Sequence, residues 1–200
     1  MLKHTGQVLA ANYLQVPVLP SQSLQLTGRY LYTQVRTIPD RYFIIHIYVV
    51  GHDESVLDIS ITNLFKESKM VGNVLQYPCE LSSKWTTICV DMAEVFRRSK
   101  NSQFKCLKGI RVCSNIFMRN MLTSETLFDK NSQLPRDLVL PSSQGQDADR
   151  LYDWLSLPEY SAPIDPKQMS KVMGATIQDL FKLQQENLKP QPDGAHGGGA

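Results

Sequence analysis

Trp85-Thr86-Thr87-Ile88-Cys89-Val90-Asp91-Met92 runs straight into Ala93-Glu94-Val95-Phe96-Arg97-Arg98-Ser99, and Gly109-Ile110-Arg111-Val112-Cys113 follows soon after. The first piece puts Ile88, Val90 and Met92 on one side of an extended chain, the period of a strand with a buried face. Ala93–Ser99 reads as one brief helical segment. Ile110 and Val112 then alternate with Arg111 and Cys113 as a second strand. Alternating βαβ units are absent along the chain, so a doubly wound sheet is not expected.

The same period governs the chain on the N-terminal side. Phe43, Ile45, Ile47 and Val49 share one face of Tyr42–Val50, opposite Tyr42, Ile44, His46, Tyr48 and Val50. With apolar residues on both faces, this strand is expected to be central and covered on both sides. Leu31, Thr33 and Val35 oppose Tyr30, Tyr32, Gln34 and Arg36, and Leu57, Ile59 and Ile61 alternate with Asp58, Ser60 and Thr62. Gly51-His52-Asp53-Glu54 reads as a hairpin connection. Short strands broken by Pro, Gly and Ser turns predict an all-β fold, an antiparallel β-sandwich.

After Pro141 the composition changes. Residues 142–164 read as a linker, with Trp154 in the mixed segment Leu151–Tyr160 as an anchor onto the domain. Asp165 and Pro166 announce a helix start. Met169, Val172, Met173, Ile177, Leu180, Phe181 and Leu188 recur at helical spacing, which predicts an amphipathic C-terminal helix over 165–189. Residues 190–200 form a Gly-rich tail expected to be disordered.

Of the 200 residues, 42% are apolar and 20% charged, enough for a substantial core. The apolar run Tyr42–Val50 is too short to cross a bilayer as a helix, and the N-terminus lacks the apolar stretch of a signal peptide. A soluble intracellular protein is the expectation. Formal net charge is only +2, but Ala93–Asn120 carries seven Lys/Arg against one acid, and Met121–Asp165 three bases against eight acids. A basic block beside an acidic one suits a charged partner surface.

Chemistry is not written into the chain. No Gly-rich phosphate loop, nucleophile elbow or His-Glu-x-x-His occurs. Cys79, Cys89, Cys106 and Cys113 never form Cys-x-x-Cys and have no His at ligand spacing, so they read as reduced, partly buried thiols rather than zinc ligands. His46, mid-strand, reads as a hydrogen-bonded core histidine. The expectation is a non-enzyme with no catalytic residue, no cofactor and no metal. Three binding readings follow. A sandwich can bind carbohydrate through exposed aromatics, but here the aromatics sit in strand patterns that a core can absorb. Nucleic acid is disfavoured because a stacking platform needs aromatics interleaved with bases, which are scarce around the basic block. Docking on an acidic protein surface remains.

Several ordered segments carry a resemblance. Trp85–Met92, Val95–Arg98, Leu107–Val112, Asn115–Arg119, Leu127-Phe128, Leu134-Pro135 and Leu140-Pro141 resemble the domain of the cilia- and flagella-associated protein 20 family. Ala11–Pro17, Gln22–Tyr32 and Asn63–Glu67 are more similar to its centriolar branch, whose members also carry WD repeats. The resemblance covers about residues 8 to 141 and assigns 1–141 to the domain. It implies a jelly-roll, carbohydrate-module-like sandwich used as a microtubule inner protein of cilia, flagella or centrioles. Such proteins sit at the inner junction of doublets or on triplets, against α/β-tubulin and neighbouring inner-junction proteins, with no nucleic acid and no membrane. Because the family domain begins earlier, one or more N-terminal strands are expected to be missing, and no WD repeat follows. The basic block then supplies the candidate tubulin-binding residues Arg97, Arg98, Lys100, Lys105, Lys108, Arg111 and Arg119.

Overall fold

Alternation along the chain resolves into strands of two packed sheets in the computed structural model, which describes residues 1–8, 11–130, 133–139 and 152–158. In chain order the strands are β1 (Leu2–His4), β2 (Tyr13–Val16), β3 (Tyr30–Thr37), β4 (Ile44–Gly51), β5 (Val56–Thr62), β6 (Lys69–Val71), β7 (Val74–Pro78) and β8 (Trp85–Asp91). Helix α1 (Met92–Lys100) follows, then β9 (Phe104–Cys113), β10 (Ile116–Ser124) and β11 (Tyr152–Leu157). One sheet has the order β1-β10-β3-β8-β11, the other β2-β9-β4-β5-β7-β6. We call them sheet A and sheet B. The predicted helix over 165–189 and the tail 190–200 lie outside the described residues.

The sandwich is as the sequence predicts, with two corrections. Both sheets are mixed rather than antiparallel: β11 runs parallel to β8, and β7 parallel to β5. In sheet B the connection 63–73 carries the chain past β5 through β6 so that β7 can return in the same direction, which a tight hairpin cannot do. The second correction concerns the linker. Tyr152–Leu157, inside the stretch 142–164, is a strand of sheet A registered Tyr152 to Trp85 through Leu157 to Val90. Its alternation, with Leu155 and Leu157 turned to the core and Trp154 to the opposite face, is overlaid in the sequence by Asp153 and Ser156.

Between the sheets lies one core. Phe43, Ile45, Ile47 and Val49 from β4 and its approach meet Leu31 and Val35 from β3, Leu57, Ile59 and Ile61 from β5, and Ile88 and Val90 from β8. All are fully or almost fully buried. The far face of β4 differs from expectation. Ile44, His46 and Tyr48 are only half-buried, because β4 is central within its sheet but no layer lies over that side among the described residues.

Helix α1 closes one end of the sandwich. Asp91 caps it, accepting from the Glu94 amide at 3.0 Å, and receives a two-pronged ion pair from Arg29 at 3.0 and 2.8 Å. Asn101 ends it in the left-handed region at φ 52°, donating its amide to the Arg97 carbonyl. Met92, Val95 and Phe96 face the core. Gly51 lets α1 approach, since a Cβ there would fall 2.6 Å from the Phe96 ring.

Sheet A's outer face is covered by the chain itself. Tyr30, Tyr32, Cys89 and Leu138 form a second apolar cluster with Leu122, Phe128, Leu134 and Trp154 packed on it. The Tyr32 hydroxyl accepts from the Phe128 amide at 2.6 Å and donates to the Thr126 carbonyl at 3.2 Å. Gln34 donates to the Leu138 carbonyl at 2.6 Å and Asn120 to that of Asp137 at 2.6 Å. These bonds tie residues 126–130 and 133–139 down over β3 and β10. Sheet B has no such cover among the described residues.

Candidate interaction surface

The open face of sheet B carries an ordered row of polar and aromatic side chains. Cross-strand register places Gln15 beside Arg111, Arg111 beside His46, and Tyr48 beside Asp58. The Arg111 guanidinium lies over the Tyr13 ring at 4.5 Å and near the Tyr48 ring at 5.9 Å. It donates through Nε and Nη to the Gln15 side-chain oxygen at 2.8 and 2.6 Å. His46 stacks on Tyr48 with ring centres 6.0 Å apart and pairs through Nδ1 with the Asp58 carboxylate at 3.0 Å. Burial pushes the His46 pKa down, but its bond to Asp58, helped by the neighbouring Cys113, outweighs this and raises it to about 9. His46 is hydrogen-bonded as the sequence predicts, but it sits half-buried on the outer face of sheet B rather than in the core, and it carries charge at neutral pH.

A strap runs along the same edge. After β2 the chain passes beside β9, where the Leu24 amide donates to the Lys108 carbonyl and the Leu107 amide to that of Leu26, each at 2.8 Å. Gly109 allows the close approach, for a Cβ there would stand 2.9 Å from the Val16 carbonyl oxygen. The strap and the sheet enclose two adjoining recesses of about 230 and 430 Å³ that share Val56 and Lys108. The first is walled by Val16, Pro17, Leu19 and Pro20 and floored by Tyr48, Lys108 and Arg111. Lys105 lines the second.

The seven basic candidates do not form one patch. Arg97, Arg98 and Lys100 sit in the last turn of α1, where cations suit the helix dipole. Glu94 holds both arginines at 2.7 Å, and hydrogen bonds from Arg97 and then Arg98 lower its pKa to about 2. Lys100 donates to Asn73 at 2.6 Å. Lys105, paired with Glu54, lines the groove with Lys108 and Arg111. Arg119 lies in sheet A and donates to the Val139 carbonyl at 2.7 Å, so it is a strut of that sheet's cover. The four cysteines are free and buried. Burial pushes the Cys79 thiol up to about 12 and the Cys89 thiol up to about 11.

Two aromatic–cation ladders were not legible in the sequence. Besides Tyr13–Arg111–Tyr48 on sheet B, the Arg36 guanidinium lies 4.7 Å from the Phe117 ring centre and 5.4 Å from that of Trp85 on sheet A. The expected scarcity of interleaved aromatics and bases holds along the chain and fails across the strands. Register creates the interleaving, and no linear spacing reports it.

The family model of the CFA20 domain matches residues 1–141. The chain belongs to the CFA20 domain family. WD repeat-containing protein 90 of Homo sapiens is 32% identical over 192 residues, an alignment covering 83% of this chain and 11% of that protein. The Xenopus tropicalis protein of the same name is 30% identical over 211 residues, with coverage of 84% and 11%. Centriole proteome protein 16 of Chlamydomonas reinhardtii is 37% identical over 143 residues, with coverage of 70% and 7%. The chain thus spans about a tenth or less of the length of these curated relatives. Within the CFA20 match lie both sheets except β11, together with α1, the strap and all seven basic candidates.

Proposed function

We propose that this chain is a non-enzymatic structural module that works at the centriole and the cilium by docking on microtubules. Membership of the CFA20 domain family carries the reading, together with a relative that is by name part of the centriole proteome. The finer form places it as a microtubule inner protein, at the inner junction of doublets or on triplets, against α/β-tubulin and neighbouring inner-junction proteins. Physical support comes from the division of labour between the faces. Sheet A's outer face is occupied by its own chain, while sheet B, among the described residues, leaves an uncovered face and a basic groove available to a rigid acidic lattice. Buried thiols and a histidine locked to Asp58 fit a scaffold better than a reaction centre.

Localisation of tagged protein in ciliated cells and co-sedimentation with assembled microtubules test the reading together. Signal at basal bodies or along the axoneme, and salt-sensitive pelleting, are expected. Diffuse cytoplasmic signal with no pelleting at low salt overturns it.

A further inference from the structure

We propose that the groove between the strap and sheet B is a receptor for an extended acidic peptide with an apolar residue beside its acids. Resting on the reading that tubulin is the partner, the peptide is a surface segment of the microtubule wall.

Three independent observations meet at this groove. The first is charge. Lys108 and Arg111 line the inner recess, no acid lines it, and neither cation pairs with a carboxylate among the described residues. Arg111 spends two donors on the neutral Gln15 oxygen and rests on Tyr13 and Tyr48, so its orientation is set before any ligand arrives. The second is the wall. Val16 is 56% and Leu19 55% exposed, and Val18 beside them 80%, so the strap offers water a run of apolar side chains. The third is composition. From Thr5 to Gly28 the chain carries no Asp, Glu, Lys or Arg, although one residue in five is charged overall. Surfaces that become the desolvated centre of an interface are depleted of charge in this way. A cationic floor under an uncharged apolar wall recognises a carboxylate placed next to an apolar group. A purely polyanionic ligand would leave the wall unused. A purely apolar one would bury Lys108 and Arg111 without a counter-charge, which disfavours it.

The test uses the full chain and a fluorescein-labelled peptide Glu-Glu-Leu-Glu-Glu, read by anisotropy. Comparison peptides are Gln-Gln-Leu-Gln-Gln and Glu-Glu-Ser-Glu-Glu. Binding of the first is expected to exceed that of either control by about tenfold and to weaken with salt. Lys108→Gln and Leu19→Ser are each expected to lose about tenfold in peptide affinity. Both side chains are solvent-facing, so an unchanged melting temperature marks the loss as local. Equal binding of the three peptides, no binding, or wild-type affinity in both variants overturns the groove. So does tighter binding of a single-stranded oligonucleotide, which would make the site a phosphate reader. Microtubule pelleting separates the two proposals. Wild-type pelleting in both variants removes the groove and leaves tubulin docking intact. Peptide binding without any pelleting removes tubulin as the source, and with it the proposed function, while the peptide specificity stands.

Discussion

His46 shows how a neighbour decides what a side chain does. In an isolated strand it would titrate near its ordinary value, but Asp58 on β5 holds its proton, with Cys113 and Arg111 on β9 and Tyr48 on its own strand around it. The folded pKa lies near 9 against an unfolded 6.5. Protonation therefore favours the folded state, by a contribution fully present below about pH 6.5 and lost as pH rises through 9. The size is on the order of 3 kcal/mol. Urea denaturation from pH 6 to pH 10 should show the stability gap between wild type and His46→Gln closing across that window. A gap constant with pH would deny the pair its role. Asp91 makes a second residue-scale case, because one buried carboxylate serves both as helix cap and as the partner of Arg29. Asp91→Ala should cost about 2–4 kcal/mol in a denaturant titration. Arg29→Ala, which leaves the cap bond in place, should cost less.

At the scale of elements, β11 is the clearest finding. It extends sheet A beyond β8 and brings Trp154 within 6.2 Å of the Tyr32 ring centre, where Phe128 already stands at 5.8 Å. Trp154→Ala should destabilise the domain by roughly 2–3 kcal/mol, less than a fully buried tryptophan because its ring is half-covered. A chain ending at residue 151 should suffer more, since it uncovers both the backbone edge of β8 and the second apolar cluster. Its expected signature is a lower melting temperature with aggregation at the transition. A truncated chain as stable as the full one would make β11 dispensable. Helix α1 is legible as a brief segment because its signals are local, down to the bases at its end, whereas the cap role of Asp91 and the helical place of Met92, both read as strand in the sequence, come from the structure. β11 is not legible in the sequence because a parallel edge strand is defined by its distant partner, and its polar residues read as linker.

The whole molecule sorts the basic block by topology. Adjacent in sequence, its seven residues end up on α1, along the groove of sheet B and under the cover of sheet A. Their contributions to microtubule binding should separate accordingly. Lys105→Gln with Lys108→Gln is expected to weaken pelleting about tenfold at low salt. Arg97→Gln with Arg98→Gln should act less, because Glu94 engages both arginines, whereas Lys108 has no carboxylate partner among the described residues and lines the groove. Arg119→Gln should lower stability and leave pelleting unchanged. A uniform effect of all three variants would mean that net charge alone governs the interaction. By itself the sequence determined that strands dominate, which residues face the core, where the short helix lies and which family the chain joins. Each of these is written in neighbours along the chain, through the period of two, the caps and the ordered motifs. Only the tertiary structure decided that both sheets are mixed, that β11 belongs to sheet A, and that sheet B is the face left open among the described residues. Only it assembled Tyr13, Arg111 and Tyr48 into one ladder beside a groove. Those facts depend on register between strands far apart in the chain, which is fixed by side chains packing across the sheets rather than by any spacing along them.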